Sequence, residues 1–192
     1  ALEAPDGAKT ADILQTGAGT YAILTAQGIP KSSVEDFSFS IFVRKQNHRY
    51  LGLILGEARR TLWPFFDFDT GQCRVPPDMA SHTLRAEPAG AGWWRLILAG
   101  PVPVAATGSS RLVGVVLVNE AGKSGAKLKG TEQVAVWGAQ TETGLSASPY
   151  LPSGLVAPDH RGARFIVRPD FGRGYRPSEE LVIPISHSAP SF

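Results

Sequence analysis

The chain has 192 residues, 43% of them hydrophobic, enough for one domain with a sizeable core plus extensions. Nineteen basic residues against seventeen acidic leave a net charge of +2, too small a surplus to argue for nucleic acid by itself. A single cysteine, Cys73, excludes an intramolecular disulfide and a cysteine-based metal site, and no run approaches the roughly 18–20 apolar residues of a membrane span.

With 21 glycines and 15 prolines, short strands between turns are favoured over long helices. Residues 1–12 are small and polar and read as a flexible or partner-ordered arm. Met79 is the only methionine, so Ala1 is expected to follow a removed initiator or a processing cut. A first strand is expected at 21–26, closed by Gly28 and Pro30. Residues 37–45, FSFSIFVRK, alternate cleanly: Phe37, Phe39, Ile41 and Val43 point one way, Ser38, Ser40, Phe42 and Arg44 the other. Residues 49–56 place Leu51, Leu53 and Leu55 inward and Tyr50, Gly52 and Ile54 outward. Residues 62–68 place Phe66 and Phe68 inward, with Trp63, Phe65 and Asp67 outward, and end at a Thr70-Gly71 turn.

A short strand at 83–87 comes next. Residues 93–98 then put Trp94, Leu96 and Leu98 inward, and Trp93, Arg95 and Ile97 on the other face. The almost wholly apolar 111–119 reads as a central strand, followed by a glycine- and lysine-rich loop at 120–130. The closing strand, 134–141, sets Val134, Val136, Gly138, Gln140 and Glu142 on one face, with Ala135, Trp137, Ala139 and Thr141 on the other. Gly144 breaks it, and the prolines of SASPYLP hold the sequel extended. Two more strands, 163–168 and 180–185, flank the arginine- and aromatic-rich RPDFGRGYRP. Strands at this spacing, with no convincing helical period, predict an all-β fold of two antiparallel sheets packed as a sandwich.

Four segments carry a family resemblance: FSFSIFVRK at 37–45, FDFDTG at 66–71, GWWRLIL at 92–98, and the ending WGAQTETG…SPYLP between 137 and 152. In this order and spacing they resemble jelly-roll modules of bacteriophage tail and fibre proteins, related to carbohydrate-binding modules. The resemblance covers 36–152 and implies a jelly-roll topology and a particle component such as a fibre, spike or receptor-binding protein. The chain then divides into an N-terminal arm and first strand (1–30), a jelly-roll domain (31–154) and a C-terminal hairpin or arm (155–192).

The residues offer little for catalysis. Glycoside hydrolysis needs two carboxylates flanking the bond, yet Asp67 and Asp69 sit in FDFDTG, where a plain β-turn explains them. His48, His82, His160 and His187 are scattered, with no zinc spacing. There is no nucleophile elbow and no phosphate-binding glycine loop. A lyase would gather Arg44, Tyr50 and Arg95 with a histidine, and no strand supplies one. The expected protein is not an enzyme and takes no cofactor or metal.

Sugar binding needs aromatic planes for C–H faces and planar polar groups for hydroxyls. The outward residues supply both: Tyr50, Trp63, Trp93 and Trp137 with Arg44, Arg95 and Asp67. Trp63, before Pro64 at a strand entrance, has a better claim to exposure than Trp93 or Trp137. Trp93 and Trp137 have an equal alternative as a structural cluster around Arg95. The C-terminal arginines Arg161, Arg164, Arg168, Arg173 and Arg176 could meet phosphate, but interleaved acidic residues favour a solvated hairpin or oligomer contact over nucleic acid.

The expected partners are a cell-surface polysaccharide, acidic if arginines line the groove, and other particle subunits in a homo- or hetero-oligomer. The expected location is a virion or phage-like particle surface, otherwise extracellular. The rival expectation is a purely structural subunit, and a weaker one is a lyase or hydrolase.

Overall fold

The computed structural model describes residues 2–16, 23–27, 35–57, 61–102, 111–124, 128–151 and 164–167. Two antiparallel sheets pack face to face as an all-β sandwich, and among the described residues the only helical element is a 3₁₀ turn at Pro77–Met79. In chain order the strands are β1 (Asp12–Gln15), β2 (Ile23–Gln27), β3 (Glu35–Lys45), β4 (Tyr50–Glu57), β5 (Phe65–Asp67) and β6 (Gln72–Arg74). They continue as β7 (Thr83–Pro88), β8 (Trp93–Val102), β9 (Arg111–Leu117), β10 (Gln133–Thr143) and β11 (Arg164–Val167). The first sheet has five strands in the order β1-β10-β3-β8-β7, and the second has six in the order β11-β2-β9-β4-β5-β6. No helix among the described residues is long and apolar enough to cross a membrane.

Period-2 alternation sets what lies between the sheets. Phe37, Phe39, Ile41 and Val43 of β3 meet Leu51, Leu53 and Leu55 of β4, with Leu96, Leu98, Val113, Val115, Leu117, Val134 and Val136 completing one cluster. Phe68 and Trp94, expected in this core, pack against it while staying partly exposed. The apolar run of β9 has a simple cause. Its inner residues face this core, while Leu112 and Val116 are buried in a second cluster on the outer face.

Three expectations need correction. Residues 2–11 are not a free arm. Leu2 and Ala11 bridge backbone to backbone, Ala4 and Ala11 are buried against Trp93 and Ala135, and β1 pairs with β10. Second, the expected strands omit β1 and β6, which are too short to show the alternation that revealed the others.

The third correction concerns β10. A bulge falls between Trp137 and Gln140, where Gly138 takes φ +60°, a region costly for residues with a β-carbon. The extra residue reverses the phase of the strand. Val134 and Val136 point inward, but Gln140 pairs with Ser40 and Glu142 with Ser38, both on the outer face. Gln140 and Glu142 therefore share the outer face with Trp137 rather than the inner face with Val136. Residues 168–192, including the strand expected at 180–185, lie outside the described residues.

Candidate functional site

The seven candidate binding residues fall on two opposite outer faces, not in one groove. Arg44, Trp93, Arg95 and Trp137 lie on the outer face of the first sheet. Tyr50, Trp63 and Asp67 belong to the outer side of the second. The inter-sheet core separates the two groups.

The first face is closed by its own chain. Residues 144–151 run back across it as a strap. Ser38 Oγ donates to Ser146 O at 3.2 Å, and Arg95 donates to Ser40 Oγ at 2.9 Å and to Ser148 O at 2.6 Å. Gln140 donates to Ser148 Oγ at 3.0 Å and accepts from Leu151 N at 3.0 Å, while Glu142 accepts from Ser148 N at 3.0 Å. Tyr150 completes an aromatic triangle with Phe42 and Trp137, its ring centroid 5.7 Å from the former and 4.7 Å from the latter.

The N-terminal segment covers the neighbouring ground: Trp137 Nε1 donates to Thr10 Oγ1 at 2.9 Å, and Trp93 is only 2% exposed. Burial, and then the Asp6 charge, push the Tyr150 phenol up. Burial likewise pushes the Arg95 guanidinium down from its ordinary value, with Glu87 and Glu142 opposing. Arg44 stacks over Trp93 at 4.9 Å. Arg95 and Trp137 therefore hold the strap and the N-terminal segment against the sheet, and Trp93 lies buried beneath that segment.

Asp67 is also structural in its bonding. Arg49 Nε and a terminal guanidinium nitrogen each donate to it at 2.8 Å, and Asp69 N donates at 3.0 Å. The bond from Arg49, above all, holds the Asp67 carboxyl well below the usual carboxylate range. Gly71 N closes the hairpin on Asp67 O at 2.8 Å, so FDFDTG is a side-chain-braced turn between β5 and β6.

Trp63 is 3% exposed, contrary to its expected prominence. It points to the outer side as predicted, but Gly52 of β4 leaves bare backbone beneath it. A β-carbon at Gly52 would lie 3.1 Å from Trp63 Cβ and 2.9 Å from side-chain carbons of Val116 and Val118. From above, the loop after β9 clamps it: Trp63 N donates to Gly122 O at 2.9 Å and Trp63 Nε1 to Ser124 Oγ at 3.2 Å. Gly122, at φ +74°, would put a β-carbon 2.8 Å from Trp63 O and 2.9 Å from Phe65, so only glycine fits. Asn119 Oδ1 braces this loop by accepting from Ala121 N and Lys123 N at 2.9 and 3.1 Å.

The clamp leaves a groove of about 220 Å³ beside Trp63 and Phe65, walled by Leu62, Arg74, Pro76, Pro77, Glu120 and Ala121. Tyr50, outside the groove, meets Phe65 edge-on at 5.8 Å. Arg74 stands over Phe65 at 5.8 Å. Of the sequence candidates, only Trp63 lines this groove; Phe65, noted as an outward aromatic, lines it too. Arg74, Glu120 and Ala121 were missed, because a three-residue edge strand and a loop leave no periodic trace.

Among the described residues, no group of three or more His, Cys, Asp or Glu gathers as a metal-ligand set. Burial pushes the Cys73 thiol up to about 11, which makes it a poor nucleophile. No protein-family model matches the chain, and no curated protein matches it.

Proposed function

We propose that this protein is a non-catalytic carbohydrate-recognising module with a jelly-roll topology, acting at the surface of a phage-like particle. The strand order supports the topology: the antiparallel pairs β1·β10, β2·β9 and β3·β8 nest inside one another, as in one long ribbon wound into two sheets. The fibre or spike setting rests on the sequence resemblance. One observation carries the binding reading, the groove beside Trp63 and Phe65. Its narrow floor, where Trp63 and Phe65 are 3% and 6% exposed, is apolar and can meet C–H groups at a sugar's edge, and Arg74 and Glu120 offer hydroxyls a donor and an acceptor. At about 220 Å³ it is smaller than the roughly 300–1,000 Å³ of enclosed ligand sites, and it suits one ring of an extended chain.

A groove-filling change tests this without touching the core. Ala121 is exposed and lines the groove, so Ala121→Trp should block it and leave folding intact. On a glycan array the wild type should retain saccharides that the variant does not. Identical profiles for the two proteins, or none from either, would remove the groove from consideration.

A second reading has its own observation. Ile13, Leu145 and Leu151 are 41%, 56% and 54% exposed on the edge strand and strap at the first sheet. Such residues suit contacts with neighbouring subunits. The two readings occupy opposite faces of the sandwich, and one subunit can serve both.

A further inference from the structure

We propose that the groove selects an acidic sugar residue, its carboxylate on Arg74 and its ring hydroxyls turned to Glu120; this rests on the carbohydrate reading above. Two arginines on this outer side take the same posture over an aromatic ring: Arg49 over Tyr50 at 5.0 Å and Arg74 over Phe65 at 5.8 Å. Their charges are treated differently. Arg49 is held by Asp67 through two bonds of 2.8 Å and lies 3.3 Å from Asp69. Arg74 makes no ion pair with any described residue. Its guanidinium lies over the Phe65 ring, and its charge at the groove meets no acidic partner among the described residues.

A guanidinium stacked on a ring keeps its N–H edge free for a planar acceptor, and carboxylate matches that fork with two parallel bonds. Glu120 lines the same groove and pairs with neither Arg74 nor any other described cation. The groove is therefore polarised, cationic at the β6 wall and anionic at the wall formed by the loop after β9. A uronic acid has the matching polarity, with a carboxylate at one side of its ring and hydroxyl donors at the other. Glu120 would accept from those hydroxyls and repel a second anionic substituent there, which disfavours multiply sulfated sugars. Asn119 braces the loop around Gly122 at one wall, and Pro76 and Pro77 restrict the backbone at the other.

Calorimetry on the full chain tests this with glucuronate and galacturonate oligosaccharides and their carboxyl-reduced neutral counterparts. The wild type should bind an acidic form at least tenfold more tightly than its neutral counterpart, the scale expected of one charge-assisted pair. Arg74→Gln should abolish that preference, weakening the acidic form far more than the neutral one, and leave the melting temperature unaltered. Arg85→Gln, an exposed change on β7 outside the groove, should retain the preference. Equal binding of acidic and neutral forms by wild type overturns the acidic specificity while the carbohydrate reading stands. So does a preference that survives Arg74→Gln or disappears in Arg85→Gln. Binding of no glycan at all overturns both.

Discussion

The ring of Tyr150 rests on the bare backbone of Gly138: a β-carbon there would stand 3.1 Å from Tyr150 Cζ and 3.1 Å from Phe42 Cδ2. This contact explains why a bulge and a tail belong together in one motif. The bulge at Gly138 turns Gln140 and Glu142 outward, where they bond the strap. Glycine also leaves the hollow that the Tyr150 ring fills. The WGAQ-T-E…S-P-Y ending is thus accounted for by packing and hydrogen bonding on a covered face.

Gly138→Ala should destabilise the protein by about 1–3 kcal/mol, combining a left-handed backbone with two close ring contacts. Urea melts of the two proteins check the figure. A neutral result would mean that the strap is not seated on the bulge.

Trp63→Ala should behave as a core mutation, costing about 3–5 kcal/mol. The indole is buried between Gly52 and the loop around Gly122, and truncating it empties that space and removes the bond to Ser124. Denaturant melts should place it beside Leu53→Ala and Leu96→Ala, whose side chains are fully buried. Any loss of ligand binding in this variant would report on the fold as well as on the groove.

Most of the sandwich was legible in the sequence because one face of β3, β4 and β8 reads Phe-Phe-Ile-Val, Leu-Leu-Leu and Trp-Leu-Leu at every second residue. Periodicity identifies an outward residue but not what covers it. Trp63, Trp93 and Trp137 do point away from the inter-sheet core, yet each is covered by chain remote in sequence: residues near 122, 4 and 150 respectively. The phase of β10 failed for a different reason. A glycine can sit in a regular strand or open a bulge, and alternation on either side cannot distinguish the two.

Acid should weaken the fold through two carboxylates. Burial alone would raise Glu132, but bonds from Lys129 N, Thr16 Oγ1 and neighbouring backbone N–H groups hold it down to about 2. Asp67 is held low chiefly by Arg49. Both folded-state values lie below the roughly 4 expected of the unfolded chain. The stabilisation is therefore complete above about pH 5 and fades as pH falls through 4 toward 2. The stability gap between wild type and Glu132→Gln or Asp67→Asn should be widest near neutrality and should narrow across that range. A constant gap would assign the effect to packing instead of charge.

Deleting residues 1–10 should cost stability, on the order of 1–3 kcal/mol from lost apolar cover and one side-chain hydrogen bond. An arm built for attachment would leave the sandwich unaltered when removed. This segment instead carries Leu2 and Ala4 against the cluster of Trp93 and Ala135, and Thr10 accepts from the Trp137 indole. Without it, Trp93 and Trp137 would face water, so tryptophan emission should shift to the red before any denaturant is added. The groove lies on the opposite side of the core, and glycan binding by folded, truncated protein should persist. Unchanged emission and an unchanged melt would show that residues 1–10 do not cover the first sheet in solution, which would free them for the attachment role expected from their composition.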